Sequence, residues 1–168
     1  KSFQSKFNFF FSDFITSNTK LGIERYRAPL HKSFCVYNYF DFARLSNLDH
    51  YSNVRNKYKI KTKYVVGMIG RIDIKKDFSC YVKSALSILK DRQDITFMII
   101  GSGPKSNNIK KIIPPTYHPY FVFTGNLNNV ENTIQLFDIG VLCTNSKIHG
   151  EGISNAILEI MSQNIPVI

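Results

Sequence analysis

From residue 64 onward, short β-branched runs alternate with segments whose apolar side chains recur at three- and four-residue spacing. Residues 64–70 read as a buried strand, continuously apolar and ended by Gly70, as central strands of a parallel sheet are. Asp77 can cap a helix carrying Phe78, Val82, Ala85, Leu86 and Leu89 on one stripe. The pattern then predicts a strand over 95–100, a short helix over 106–112, a strand over 120–124, a helix over 130–137, a strand over 139–143, a helix over 154–162 and a last strand from 165. Five strands separated by helical segments imply βα units and a doubly wound parallel α/β sheet of Rossmann type. Upstream the pattern is less regular: 13–17 and 34–38 are strand-like and 19–27 is helix-like. It lapses between 38 and 63. Three parts are therefore expected: 1–40 as the trailing edge of a neighbouring domain, 41–63 as a basic linker, and 64–168 as the main domain, incomplete at its C-terminus.

Length and composition narrow the class. The 168 residues suffice for about one domain, and 43% apolar residues exclude a disordered chain. No apolar run is long enough to span a bilayer, and the first residues lack the apolar core and cleavage site of a signal peptide, so a soluble, cytoplasmic chain is expected. It starts without methionine and reads as an excised fragment. Cys35, Cys80 and Cys143 form no C-x-x-C pair, which disfavours a disulfide scaffold or a zinc site, and their apolar neighbours predict buried thiols.

The net charge of +10 is uneven: residues 1–63 carry +8 and residues 64–168 carry +2. The run from Arg55 to Lys63 could meet an anionic surface or nucleic acid. However, lysine outnumbers arginine 16 to 6 and isoleucine outnumbers alanine 21 to 4, a skew that fits an AT-rich coding sequence, so a solvated face is favoured. No recognisable nucleic-acid motif is present. His31, His50, His118 and His149 are scattered without a triad or metal spacing, and Ser154 lacks the Gly-x-Ser-x-Gly elbow of a hydrolase.

Ligands of doubly wound sheets bind beyond the carboxyl ends of the strands, in the strand-to-helix loops. The first such loop brings Arg71, Lys75 and Lys76 together after Gly70, a set suited to an anion. The Gly101-Ser-Gly-Pro104 turn lacks the third glycine of a dinucleotide fingerprint, and Gly125 after the third strand would let a planar ligand approach the backbone. The most informative segment is His149-Gly-Glu-Gly-Ile-Ser-Asn-Ala-Ile-Leu-Glu159. Glycines flank Glu151, and the amides of Ile153, Ser154 and Asn155 would face outward at a helix start, where an anion can settle. Eight residues at a helical rise separate Glu151 from Glu159 by roughly 12 Å, about the span from a sugar to the ribose of a nucleotide sugar.

In order along the chain, Gly70-Arg71 with Lys76, Ile100-Gly-Ser-Gly-Pro104, Phe123-Thr-Gly125, Phe137-Asp-Ile-Gly-Val141 and Glu151-Gly-Ile-Ser-Asn-Ala-Ile-Leu-Glu159 resemble the family-4 retaining glycosyltransferases. The match is to their C-terminal, donor-binding half, one of the two Rossmann-like domains of the GT-B architecture. Residues 12–19 and Val36-Tyr-Asn38 also resemble that family's inter-domain crossing. The resemblance implies that Arg71 and Lys76 contact the donor diphosphate, that Glu151 contacts the donor sugar, that the amides following it meet the phosphates, and that Glu159 bonds the ribose. Gly70, Gly125, Gly152, Ile153, Ser154 and Asn155 complete the implied donor site. It further implies a UDP- or GDP-linked sugar as substrate, no cofactor and no metal, and a glycan or lipid-linked acceptor met through the other domain. Peripheral contact with the inner face of a bacterial membrane also follows, and no nucleic-acid partner is expected. In two places the chain departs from the family pattern: Tyr39 and Asp77 stand where glycine is usual. A nucleotide-sugar epimerase of the same architecture is the alternative enzyme, and a basic nucleic-acid-binding module the alternative of another class.

Overall fold

The structure, a computed structural model, describes residues 3–148 and 152–168. The chain divides into two compact units, one of residues 1–39 with 151–155, the other of residues 40–150 with 156–168.

In the smaller unit, helix α1 (Phe3–Phe11) precedes strand β1 (Ile15–Ser17), helix α2 (Lys20–Tyr26) and strand β2 (Ser33–Cys35). The two strands pair in parallel, Ile15 opposite Ser33 and Ser17 opposite Cys35, with α2 as their crossover. Thr19 starts α2 because its Oγ1 accepts from the Gly22 amide at 3.0 Å. Arg27 ends the helix in the left-handed conformation, φ 50°. No element is expected over 3–11 from the sequence, yet Phe3, Phe7, Phe10 and Phe11 recur at three- and four-residue spacing and the segment is helical.

The larger unit is the doubly wound domain. Strands β3 (Tyr64–Ile69), β4 (Ile95–Ile100), β5 (Phe121–Gly125) and β6 (Ile139–Val141) form one parallel sheet in the order β5-β4-β3-β6. Gly140 pairs in parallel with Val167, so the chain's last residues extend the sheet beyond β6. Sheet growth thus reverses at β3, and the switch point lies between β3 and β6.

Alternation along β4 shows why the helices take both faces. Ile95, Phe97 and Ile99 pack with Phe78, Tyr81, Val82, Ala85 and Leu89 of the α4 region (α4, Phe78–Ile88) and with Ile109 of α5 (Ser106–Ile112). Met98 and Ile100 face the other way, toward Val54 of α3 (Tyr51–Lys57), Ile134 of α6 (Glu131–Ile134) and Ile160 of α7 (Asn155–Met161). Asp77 caps α4 as expected, its carboxylate accepting from the Cys80 amide at 2.9 Å.

The segment 41–63, expected to be a solvated linker, carries α3, and its Val54 and Ile60 enter the core. Polar residues between those two positions hid them from the pattern. The helix expected over 130–137 is a single turn. None of the three cysteines is buried: Cys80 is exposed, and Cys35 and Cys143 are half-buried. Cys35 lies in β2 and Cys143 just after β6, where sequence neighbours face opposite sides, and Cys80 lies on α4, where each residue is turned about 100° from the next, so apolar neighbours do not imply burial. No helix among the described residues is long and apolar enough to cross a membrane.

Two polar groups pin the layers. Asp138 Oδ2 accepts from the Val65 amide at 2.7 Å, which gives the Phe137-Asp-Ile-Gly motif a structural task at the start of β3. The buried Tyr81 hydroxyl donates to Val66 O at 2.8 Å and lies 3.2 Å from Met98 O, fastening α4 to two strands, and burial pushes its phenol well up. Tyr81→Phe is expected to cost about 1 kcal/mol, measured as a lower urea midpoint at unchanged slope. An unchanged midpoint would mean that packing alone fastens the helix.

Candidate functional site

In the larger unit a cleft of about 510 Å³ opens over the carboxyl ends of β3, β4 and β5. Its walls come from Gly70 and Arg71 after β3, Gly101, Ser102 and Gly103 after β4, and Asn126, Leu127 and Val130 after β5. The glycines of the second loop are there because backbone lies against backbone: a Cβ on Gly101 would run into Gly70 O, and one on Gly103 into Ile72 O. Gly101 donates to Gly125 O at 2.9 Å, and Gly70 donates to Ile100 O at 3.0 Å, so the three strand ends form one floor. At Gly125 φ is +70°, and nothing lies within 4 Å of where a side chain would start, so that position is open as well as left-handed.

The first loop is braced from both sides. Asp73 Oδ1 accepts from the Lys75 amide at 2.8 Å and the Lys76 amide at 3.4 Å, folding the chain back on itself. Lys76 forms an antiparallel bridge with Thr144, Asp77 N donates to Cys143 O at 2.9 Å, and Asn145 N donates to Lys75 O at 2.9 Å. These bonds join the loops after β3 and β6, so the open cleft lies over β3 to β5 and the crevice at the switch point is spanned by backbone. Arg71 projects freely, its side chain 75% exposed with Asp73 Oδ2 at 3.7 Å. The stem of Lys76 passes Gly70, where a Cβ would lie 3.5 Å from Lys76 Cγ. Asp77, in place of the family's glycine, spends its carboxylate on the α4 cap.

The sequence-derived residues are thus partly gathered. Gly70, Arg71, Lys76 and Gly125 stand at adjoining strand ends of the larger unit. Glu159, on α7, is hydrogen-bonded there to Arg44 Nη2 at 3.2 Å, and burial holds its carboxyl above the ordinary value while Arg44 opposes the rise. Glu151 and His149 lie outside the described residues. Gly152, Ile153, Ser154 and Asn155 belong to the smaller unit, where Asn38 Nδ2 donates to Ile153 O at 3.0 Å and to Asn155 Oδ1 at 2.8 Å. Asn18 Nδ2 donates to the same carbonyl at 3.4 Å. The peptide that presents the Ser154 amide is therefore gripped by two asparagines, and Ser154 itself is buried.

Sequence reasoning missed Ser102, Asn126, Arg44 and Glu131. Ser102 Oγ donates to Asn126 Oδ1 at 2.9 Å across the cleft mouth. The histidines serve locally: His50 Nδ1 caps α3, and His118 Nε2 lies 3.1 Å from Ile113 O.

Comparison with known proteins follows the same lines. The family described as glycosyl transferases group 1 matches residues 63–168, more than half of the chain. No curated protein matches by sequence. Among solved structures, HepE of Anabaena, determined with UDP and glucose, superposes with a TM-score of 0.80 at 14% identity over 98% of this chain and 46% of its own. A glycosyltransferase from Rickettsia africae gives 0.77 at 19% identity over 92% of this chain and 43% of its own. The C-terminal domain of a glycosyl transferase group 1 protein, LpcC of Francisella tularensis, gives 0.61 at 24% identity over 76% of this chain and 68% of its own. The chain thus spans about half or less of the length of the first two. These likenesses show the fold, a Rossmann-like α/β domain of GT-B glycosyltransferase type. On the match over residues 63–168, the chain belongs to the group 1 glycosyl transferases.

Proposed function

We propose that this chain is the donor-binding portion of a retaining glycosyltransferase that moves a hexosyl group from a UDP- or GDP-linked sugar to a glycan or lipid-linked acceptor. The observation that carries the reading is the cleft over β3 to β5, floored by backbone and edged by Arg71. A diphosphate leaving group gains negative charge as the glycosidic bond breaks, and donors fixed beforehand lower that barrier most. Arg71 takes the phosphates through its fork and Lys76 through a point charge, so the charge is met by side chains and no metal is assigned to the step. Glu151 is assigned to the donor sugar, the amides of Ile153, Ser154 and Asn155 to the phosphates, Glu159 to the ribose hydroxyls, and Gly70, Gly125 and Gly152 to the close approach of the donor. HepE is a similar protein that has been solved with UDP-glucose, which supports a nucleotide-sugar donor here. We place the enzyme in the cytoplasm, at the inner face of the membrane when its acceptor is lipid-linked.

Calorimetric titration of the chain with UDP, GDP and ADP, with single-stranded RNA as control, tests this. One nucleotide is expected to bind saturably and better than the others. Equal, steeply salt-dependent binding of RNA and all three nucleotides would overturn it.

A further inference from the structure

The larger unit holds a second polar cluster, built from three separate elements. Arg44 comes from the short turn Phe42–Leu45, Glu131 opens α6, and Glu159 lies midway along α7. Arg44 Nη2 donates to Glu159 Oε1 at 3.2 Å and also pairs with Glu131, and the Phe40 ring lies 5.1 Å from the guanidinium carbon. Glu131 is the most enclosed of the three, its side chain 3% exposed against 17% for Glu159 and 43% for Arg44. Its Oε1 accepts no hydrogen bond, so Glu131 is held to Arg44 by charge alone. Two carboxylates with little water around them repel, and one cation between them makes the arrangement tolerable. Val130, just before Glu131, lines the cleft, so the cluster begins one residue behind the wall of the proposed donor site.

We propose that Arg44 is a positioning residue which, anchored on buried Glu131, holds the Glu159 carboxylate oriented to accept from the vicinal hydroxyls of a ribose. The inference rests on the donor-site reading, in which Glu159 meets that ribose. Arg44 engages Glu159 through Oε1, which leaves Oε2 to accept from a hydroxyl. The charged groups facing Glu159 in this unit are Arg44, which favours its ionised form, and Glu131, which disfavours it, and burial disfavours it most. Removing Arg44 therefore moves the protonation of Glu159 to higher pH, and a protonated carboxyl is the poorer acceptor.

The test compares UDP with its 2′,3′-dideoxy analogue at pH 6 and pH 8 on the 168-residue chain. The variants are Glu159→Ala, Arg44→Lys, and the pair Arg44→Gln with Glu131→Gln, which removes the most buried carboxylate together with its cation, so that only the less enclosed Glu159 loses its partner. Glu159→Ala is expected to weaken UDP about tenfold and to leave the analogue unchanged. The paired variant is expected to weaken UDP about fivefold at pH 6 and less at pH 8, to spare the analogue, and to add nothing when Glu159 is already alanine. Arg44→Lys should recover part of the loss. If Glu159→Ala abolishes the preference for UDP over the analogue while the paired variant keeps it, Arg44 positions nothing and this proposal falls alone. If Glu159→Ala itself keeps the preference, the donor-site reading falls and this proposal with it.

Discussion

Phe97→Ala is expected to destabilise the larger unit by about 3–5 kcal/mol, the loss typical of a buried aromatic cut back to a methyl group. Phe97 is in β4, a strand with a partner on either side in the sheet, and is 2% exposed. Its ring stacks on Phe121 of β5 with centroids 5.7 Å apart and meets the edge of Tyr81 of α4 at 6.1 Å. Truncation removes the shared partner of a strand and a helix, and the cavity cannot close because the backbone around it is locked in the ladder between β3 and β5. At a urea slope of about 2 kcal/mol/M for a domain this size, the midpoint should fall by roughly 1.5–2.5 M. Phe10→Ala, at an exposed position on α1, should change the midpoint little. A shift below about 0.5 M for Phe97→Ala would show that the core relaxes around the gap.

The same residue shows how the sequence could be read so far. The run from Ile95 to Ile100 has no alternation to exploit, yet its length, its β-branched content and the glycine after it identify a strand covered on both faces, and it is one. Helix α5 fell on its expected bounds for a similar reason, with breakers on both sides. Where elements were missed, the stabilising contacts are distant in sequence. Helix α3 keeps only Val54 and the nearby Ile60 for the core, and the polar residues around them dominate any window. The site divides in the same way. Arg71 and Lys76 stand in the loop after β3 and Gly125 at the end of β5, positions at the carboxyl ends of strands that predict proximity to a ligand. Arg44 could not be found so, because its significance comes from Glu131, 87 positions on, and Glu159, 115 positions on. A single arginine in a basic segment carries no mark of what it pairs with. The Gly101 and Gly103 turn was assigned to tight geometry and needs glycine because a neighbouring backbone occupies the space.

On the proposed donor site, Arg71→Ala is expected to weaken UDP binding by about 10- to 100-fold, since a charge-assisted bond to phosphate is worth about 1.5–3 kcal/mol. The magnitude follows from the way the residue is held. Arg71 lies at the cleft edge with its side chain 75% exposed and its nearest carboxylate, Asp73, at 3.7 Å, too long for a tight pair, so little must be broken before it turns to a ligand. Its backbone, by contrast, is fixed, because Gly70 and Ile72 on either side both donate to the turn after β4 and its strand end. With the backbone already fixed, closing over a diphosphate costs only the ordering of the side chain, about 0.5–1.5 kcal/mol, which the charge-assisted bond exceeds. Lys76→Met should cost less, because an ammonium gives a point charge and not a fork. The nucleotide series separates this from general charge attraction. Uridine should bind both forms of the protein equally, UMP should show part of the weakening, and UDP the whole of it. The salt dependence of UDP binding should flatten in the Arg71→Ala protein as one phosphate partner is removed. If UDP affinity in Arg71→Ala stays within about twofold of the unaltered chain, a change worth under about 0.5 kcal/mol, the diphosphate does not sit against this loop.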